Sequence, residues 1–285
     1  WAFTSPEDLK NAQLESALDT AIPLENPLSE KNALMRPSLI PSVLNVASSN
    51  IRNGRKSLQI YELAPVYTQE KDKEDASQND VLTIAISGDR AANHWSQTTA
   101  NADLFDLKGY LEDTASYLSG TELKFVACSN PTYAPGECAE IHAKGNVIGY
   151  LGRASRNVAK AYDIDQDLYI AEIHIKSLLQ KKAKHAKFQA VPEHPASLRD
   201  IAVVVDEAIA TGDMLTSAQK AGGKLLQRVD IFDIYTGKQV PEGKKSVAFS
   251  LSFQSHERTL TDQDTDKAWN KILKTLQHQY QAELR

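Results

Sequence analysis

PASLRDIAVVVD, residues 195–206, opens a stretch that continues through VDIFDIYTG at 229–237 and VPEGKKSVAFSLSF at 240–253, and closes with ERTLTDQDTDKAW at 257–269. Ile201 to Val205 is a short run rich in β-branched residues with Asp206 as a stop, the pattern of a buried strand. Thr211 is expected to cap a helix in which Met214, Leu215 and Ala218 share one face, and Gly222-Gly223 to end it. Two further strands are expected, Leu226 to Tyr235 and Lys245 to Gln254. Thr261 is placed to cap the last helix, with Asp262 and Asp264 in its first turn where the helix dipole favours acids. Trp269, Ile272, Leu273, Leu276 and Tyr280 recur at helical spacing and make its apolar stripe. A terminal strand near Ala282 to Leu284 completes the order βαββαβ.

That order is the ferredoxin-like split βαβ arrangement. In its third strand, Val247, Phe249, Leu251 and Phe253 alternate with Ala248, Ser250, Ser252 and Gln254. One sheet face is therefore expected under helices and the other small, polar and open. Such an open face can hold RNA, with aromatic rings stacking on bases and side chains bonding to their edges. Ser250 and Ser252 lie on it, and Phe232 and Tyr235 on the neighbouring strand could stack. By pattern alone these two aromatics read first as ordinary core or rim residues. Lys244 and Lys245 beside the sheet, and Arg199 at its first strand, are the candidates for phosphate contacts. The alternative for Arg199 with Asp200 is ion pairing within the domain. For Arg258 with Asp262, pairing or capping is the preferred reading.

PASLRDIAVVVDE, AGGKLLQRVDIFDIYTGKQVPEGKKSVAFSLSF (221–253) and ERTLTDQDTDKA closely resemble the C-terminal anticodon-binding domain of the bacterial phenylalanyl-tRNA synthetase β subunit. The spacing between the blocks agrees as well as the blocks do. The resemblance continues upstream into the region built like a class II synthetase catalytic domain. It is carried by NPLSEKNALMRPSLIPSVLNVASSNIRNG (26–54), LQIYELAPVY (58–67), DLFDLKGYLE (103–112) and PGECAEIHAKGNVIGYLGR (135–153). It implies an α+β chain with a synthetase-like antiparallel sheet domain over 1–180, a linker over 181–194 containing KKAKHAK, and the ferredoxin-like domain over 195–285. It further implies a heterotetrameric α2β2 phenylalanine–tRNA ligase in the cytoplasm. There the β subunit would support the catalytic α subunit and bind phenylalanine tRNA, with ATP and Mg2+ used by the holoenzyme and no cofactor held by this part.

Within 1–180 a helix is expected from Ser38 to Asn53, with Gly54 as its stop, then a strand at SLQIYELAPVY buried for much of its length. A helix from Asp103 would present Leu104, Leu107, Leu111 and Leu118 inward. Gly145-Asn146 would make a tight hairpin turn. Strands and helices mix without a regular βαβ rhythm, which predicts an antiparallel sheet.

Chemistry is not legible in this region. Adenylate formation needs arginines on the ATP phosphates and acids for magnesium. Arg36 in MRPSL is followed by no acid, and GYLGRAS around Arg153 lacks the spacing of the late class II motif. No catalytic residue is therefore expected. His94, His142, His174, His185, His194, His256 and His278 are scattered and form no metal-ligand spacing, so no metal site is expected either. Cys128 and Cys138 read as reduced thiols. A net charge of −5 argues against a general nucleic-acid binder held by a basic surface, but leaves a local patch open. No apolar run reaches membrane-spanning length. The chain opens on Trp1 in a strand-like stretch and reads as a piece of something larger. A ligand-sensing regulatory module is the alternative reading of the ferredoxin-like domain, since fold alone does not fix function.

Overall fold

Residues 2–70, 75–92, 94–96, 98–179 and 191–285 are described by a computed structural model. The chain divides into two units, 1–186 and 187–285. Most of the expected linker, 181–194, lies outside the described residues.

In the first unit β1 (Phe3–Thr4) pairs with β2 (Leu34–Met35), and α1 (Pro6–Asn11) starts at Ser5, whose side chain accepts from the Asp8 amide. α2 (Ile40–Arg52) begins two residues later than expected; Ser38 lies just outside it and accepts from the Ile40 amide. Gly54 follows with φ +83°, a conformation open to glycine without strain. Then come β3 (Leu58–Thr68), β4 (Ser77–Ser87), α3 (Leu104–Ser119), β5 (Leu123–Ala127), β6 (Tyr133–Ala143), β7 (Asn146–Ala154), α4 (Arg156–Ala161), β8 (Leu168–His174) and α5 (Lys176–Leu179). The six strands β3 to β8 form one sheet in the order β3-β4-β8-β7-β6-β5, and every neighbouring pair is antiparallel.

Helices cover both faces of that sheet. On one side α3, held by the reciprocal Asp103–Asp106 capping box, buries Leu107, Leu111 and Ala115 against Ile141, Ile148, Leu151 and Ile173. On the other, Val43, Leu44 and Ala47 of α2 and Val158 of α4 pack with Ala85, Leu168 and Ile170. Two expectations are corrected here. β3 is an edge strand, with only Leu58 and Val66 buried; Tyr61 and Leu63 stay 75% and 55% exposed because α3 lies over β4, β8 and β7 and leaves β3 uncovered. The β6–β7 turn is made by Lys144-Gly145 and not Gly145-Asn146. Both turn residues have positive φ, as a two-residue hairpin requires, and Asn146 already belongs to β7.

In the second unit β9 (Ser197–Asp206), α6 (Thr211–Gly222), β10 (Leu226–Tyr235), β11 (Lys244–Phe253), α7 (Asp262–Tyr280) and β12 (Glu283–Leu284) follow one another in the order βαββαβ. The sheet runs β10-β11-β9-β12 and is antiparallel throughout. Ile201, Val203, Val205, Val247, Phe249, Leu251 and Phe253 point to the face under the helices and form a core with Met214 and Ala218 of α6 and Ile272 and Leu276 of α7. Thr261 caps α7 in a reciprocal box with Asp264. Thr211 is not the cap of α6. Ala210 holds the extended capping position, no side chain caps there, and Thr211 is already the first helical residue.

Candidate nucleic-acid interface

Residues directly opposite one another in an antiparallel sheet share a face, so the β10-β11-β9 register locates the side of the second unit that the helices leave open. Ser250 of β11 stands between Asp230 and Asp200, Ser252 between Arg228 and Leu198, Ala248 between Asp233 and Ala202, and Ser246 between Tyr235 and Val204. Ser250 and Ser252 are half-buried, Leu198 is exposed, and Ala248 and Ser246 are buried. The middle of this face is small, as the alternation of Ala248, Ser250 and Ser252 predicts, because α6 and α7 both pack against the other side.

Phe232 is the extra residue of a bulge in β10, where the register steps from Ile231 to Asp233, and it is 60% exposed. Bulges re-aim side chains next to sites of action. Tyr235 is half-buried, and the Arg285 guanidinium sits 5.6 Å from its ring centre. Arg285 also donates to Ser246 Oγ and Gln239 Oε1, which fixes the C-terminal residue against the open side.

Register separates the three candidate cations. Lys244, opposite Asp206, is on the open side, with its ammonium 2.7 Å from Glu283 Oε1. Lys245 pairs with buried Val205 and so belongs to the helix side; its ammonium donates to the Glu207 carbonyl. Arg199, opposite Leu251, is also on the helix side, where it donates to Asp262 Oδ1 at 2.7 Å and lies 3.7 Å from Asp266 Oδ1. The fold thus puts Ser250, Ser252, Tyr235 and Lys244 on one face, with Lys244 at the far end of β11 from Ser252, and puts Arg199 and Lys245 on the other. Arg258 pairs with Asp264, two residues from the expected Asp262, at 2.7 Å and 3.0 Å.

The open side is rich in carboxylates. Asp200, Asp206, Asp230 and Asp233 line it, and Arg228 Nε lies 2.6 Å from Asp230 Oδ2. Sequence reading missed these acids as a group, because they come from two strands far apart in the chain and only the register aligns them.

Among its described residues the first unit has no comparable assembly. Arg36 is buried, with Nη1 2.6 Å from Glu62 Oε1 and Nε donating to the Pro65 carbonyl, while Glu62 also accepts from Ser42. Arg153 makes a two-pronged bond to Glu137, at 2.8 Å and 2.7 Å, and a third to Asp167. That bonding pushes the Arg153 guanidinium further up and holds Glu137 below the usual carboxylate range. Both arginines weighed for nucleotide phosphates are thus engaged by carboxylates of their own unit. Glu172 is half-buried, and its carboxylate accepts from Ser38 Oγ, the Leu39 amide and Thr83 Oγ1, all on one oxygen. Burial still raises its carboxyl above the ordinary value. Among the described residues no group of three or more His, Cys, Asp or Glu side chains is placed to hold a metal ion, and no helix is long and apolar enough to cross a membrane.

Residues 1–175 match the family described as "Phenylalanyl tRNA synthetase beta chain CLM domain", and residues 192–285 match "Ferredoxin-fold anticodon binding domain". The whole chain aligns with the phenylalanine–tRNA ligase beta subunits of Clostridium acetobutylicum, at 34% identity, and Bacillus subtilis, at 32%, covering 35% of each. The Fusobacterium nucleatum beta subunit is 33% identical over 94% of the chain and 34% of its own length. The chain therefore spans about a third of the length of the curated relatives it matches. On these matches the chain belongs to the phenylalanyl-tRNA synthetase beta chain family.

Proposed function

We propose that this chain is a non-catalytic part of a phenylalanine–tRNA ligase. Its second unit would hold the anticodon loop of phenylalanine tRNA on the open sheet face, and its first would support a catalytic α subunit in an α2β2 assembly in the cytoplasm. The observation that carries the reading is a four-stranded sheet with both helices on one side. On the other, Ser250 and Ser252 are accessible on β11, and the bulge in neighbouring β10 exposes Phe232, within a stretch matching an anticodon-binding family. Bases splayed from a loop would stack on Phe232 and bond to the serines and the neighbouring carboxylates, which can accept from exocyclic amines. ATP and Mg2+ would be used by the assembled ligase at the α subunit; Arg36 and Arg153, both bound to acids, offer them little here. The sensing alternative gains nothing from relatives that are named as ligase subunits.

The test is binding of the chain to phenylalanine tRNA beside the same tRNA with a changed anticodon loop. Base stacking is worth about 1–3 kcal/mol per base, so Phe232→Ala should weaken the native complex by roughly 5- to 150-fold and the altered complex less. Equal affinity for both RNAs, untouched by Phe232→Ala, would refute the reading.

A further inference from the structure

We infer that the outer face of α7 is the surface on which this domain holds RNA phosphates, a role distinct from the base contacts of the open sheet; the inference rests on the RNA-binding reading above. Lys267, Lys271, Lys274 and His278 follow one another at intervals of four, three and four residues and are all exposed. At about 100° per residue they fall within one narrow stripe, and at 1.5 Å rise per residue they extend over roughly 16 Å of helix. The buried residues of α7, Ala268, Ile272, Leu273 and Leu276, face the sheet, so the stripe points away from the core. Asn270 and Thr275 flank the stripe on the same face of the helix.

The four arginines of the unit and the two lysines of β11 are already engaged, and the other exposed lysines, among them Lys220, Lys224 and Lys238, lie outside α7 and do not extend the row. Arg199, Arg228, Lys244 and Arg258 are in ion pairs, Lys245 donates to a carbonyl, and Arg285 is held by Gln239, Ser246 and the Tyr235 ring. Among the described residues no hydrogen bond or ion pair reaches the ammonium group of Lys267, Lys271 or Lys274. The acids of α7 do not neutralise them. Asp262, Asp264 and Asp266 are all at its N-terminal end, bonded to Arg199, to Arg258 and in the cap. The remaining turns, Lys267 to Tyr280, carry lysine without acid. The open sheet face has the reverse character, with four aspartates across it. Phosphates are therefore disfavoured where bases are accommodated and favoured along α7, and the occupant that matches regularly spaced ammonium groups is a phosphodiester backbone.

The test uses the full-length β subunit assembled with its α partner and measures phenylalanine tRNA affinity from low to high salt. The triple variant Lys267→Ala, Lys271→Ala, Lys274→Ala should bind more weakly at low salt. Its plot of log affinity against log salt should be shallower by about 2 to 3, since each phosphate neutralised contributes roughly 0.7–0.9 to the slope. The loss should be the same for tRNA with a changed anticodon loop. Thermal melting reports whether the variant is folded. A second variant, Lys220→Ala, Lys224→Ala, Lys238→Ala, removes the same charge from other exposed lysines and should leave the slope unchanged.

An unchanged slope in the α7 variant, with the wild-type complex binding tRNA normally, overturns the inference and leaves the RNA-binding reading standing. So does an equal loss in both variants, which would reflect net charge alone. Weaker assembly with the α subunit at unchanged tRNA slope would assign the stripe to a protein partner. A second unit whose sheet-face variants also leave tRNA binding untouched would sink the reading itself.

Discussion

Arg199 Nη2 and Asp262 Oδ1 lie 2.7 Å apart, and this bond ties the first strand of the second unit to the first turn of α7. Thr265 Oγ1 lies 3.4 Å from the same guanidinium nitrogen. An arginine that reads in sequence as a phosphate contact is thus a clasp between sheet and helix. Surface pairs contribute about 0–1 kcal/mol, so Arg199→Ala should lower the stability of the unit by no more than about 1 kcal/mol. Denaturant midpoints at constant slope would measure this. A large loss of tRNA affinity at unchanged stability would return Arg199 to a phosphate contact.

Asp264 predicts an acid response. Its carboxylate bonds to Arg258 and to the Thr261 amide and hydroxyl, which hold it well below the ordinary value of 3.8. A depressed folded value means stabilisation that is complete above the unfolded value and lost as pH falls through the folded one. The melting temperature of the second unit should therefore fall below about pH 4. Asp264→Asn should be less stable than wild type at neutral pH, with the difference shrinking as acid is added. Parallel melting curves down to pH 2 would contradict this.

Glu172 is the opposite case. Three donors, Ser38 Oγ, the Leu39 amide and Thr83 Oγ1, converge on its one carboxylate oxygen. Each donor left unsatisfied costs about 1 kcal/mol or more, so Glu172→Ala should destabilise the first unit by roughly 3 kcal/mol. Glu172→Gln keeps an oxygen acceptor and should recover most of that. Burial raises the Glu172 value, so its ionisation opposes folding. Stability of wild type relative to the Gln variant should fall as pH rises from the unfolded carboxyl value. Urea titrations of the three proteins at pH 4.5 and pH 7.5 would decide it.

Gly149 of β7 lies so close to β8 that a Cβ there would collide with the backbone carbonyl of Glu172 and come 2.8 Å from Ile173 Cα. Backbone cannot give way as a side-chain tip can. Gly149→Ala should cost about 3 kcal/mol, against a gain of up to about 1 kcal/mol for Gly109→Ala inside α3, where nothing lies within 4 Å. Comparable melting temperatures for the two variants would refute the close packing.

Cys138 and Cys128 are unbridged, with sulfurs 2.9 Å apart. Burial, then the bond to Cys128, pushes the Cys138 thiol up to about 12. Since the thiolate is the reactive form, a maleimide at pH 7.5 should label half-buried Cys128 and spare Cys138 until the chain is unfolded. Peptide mass spectrometry before and after denaturant would show it; prompt labelling of Cys138 would not fit.

Sequence alone determined the βαββαβ order, the Thr261 cap and the side of β11 that is buried. These follow from local alternation, helical spacing and capping chemistry, which neighbouring residues specify. It also carried the family, through blocks whose spacing is kept. Tertiary structure decided what depends on register and layer. The edge position of β3 exposes Tyr61 and Leu63 in a strand that reads as buried, because hydropathy does not say whether a helix reaches over the last strand. The placement of Arg199 and Lys245 on the helix side, away from Ser250 and Ser252, follows from which residue of β9 stands opposite which of β11. The partner of each charge was decided in the same way. Arg199 finds Asp262 sixty-three residues away, and Lys244 finds Glu283 thirty-nine away. A single-residue step in a strand reverses its face, so cations that look alike in the chain become clasps at one position and free charge at another.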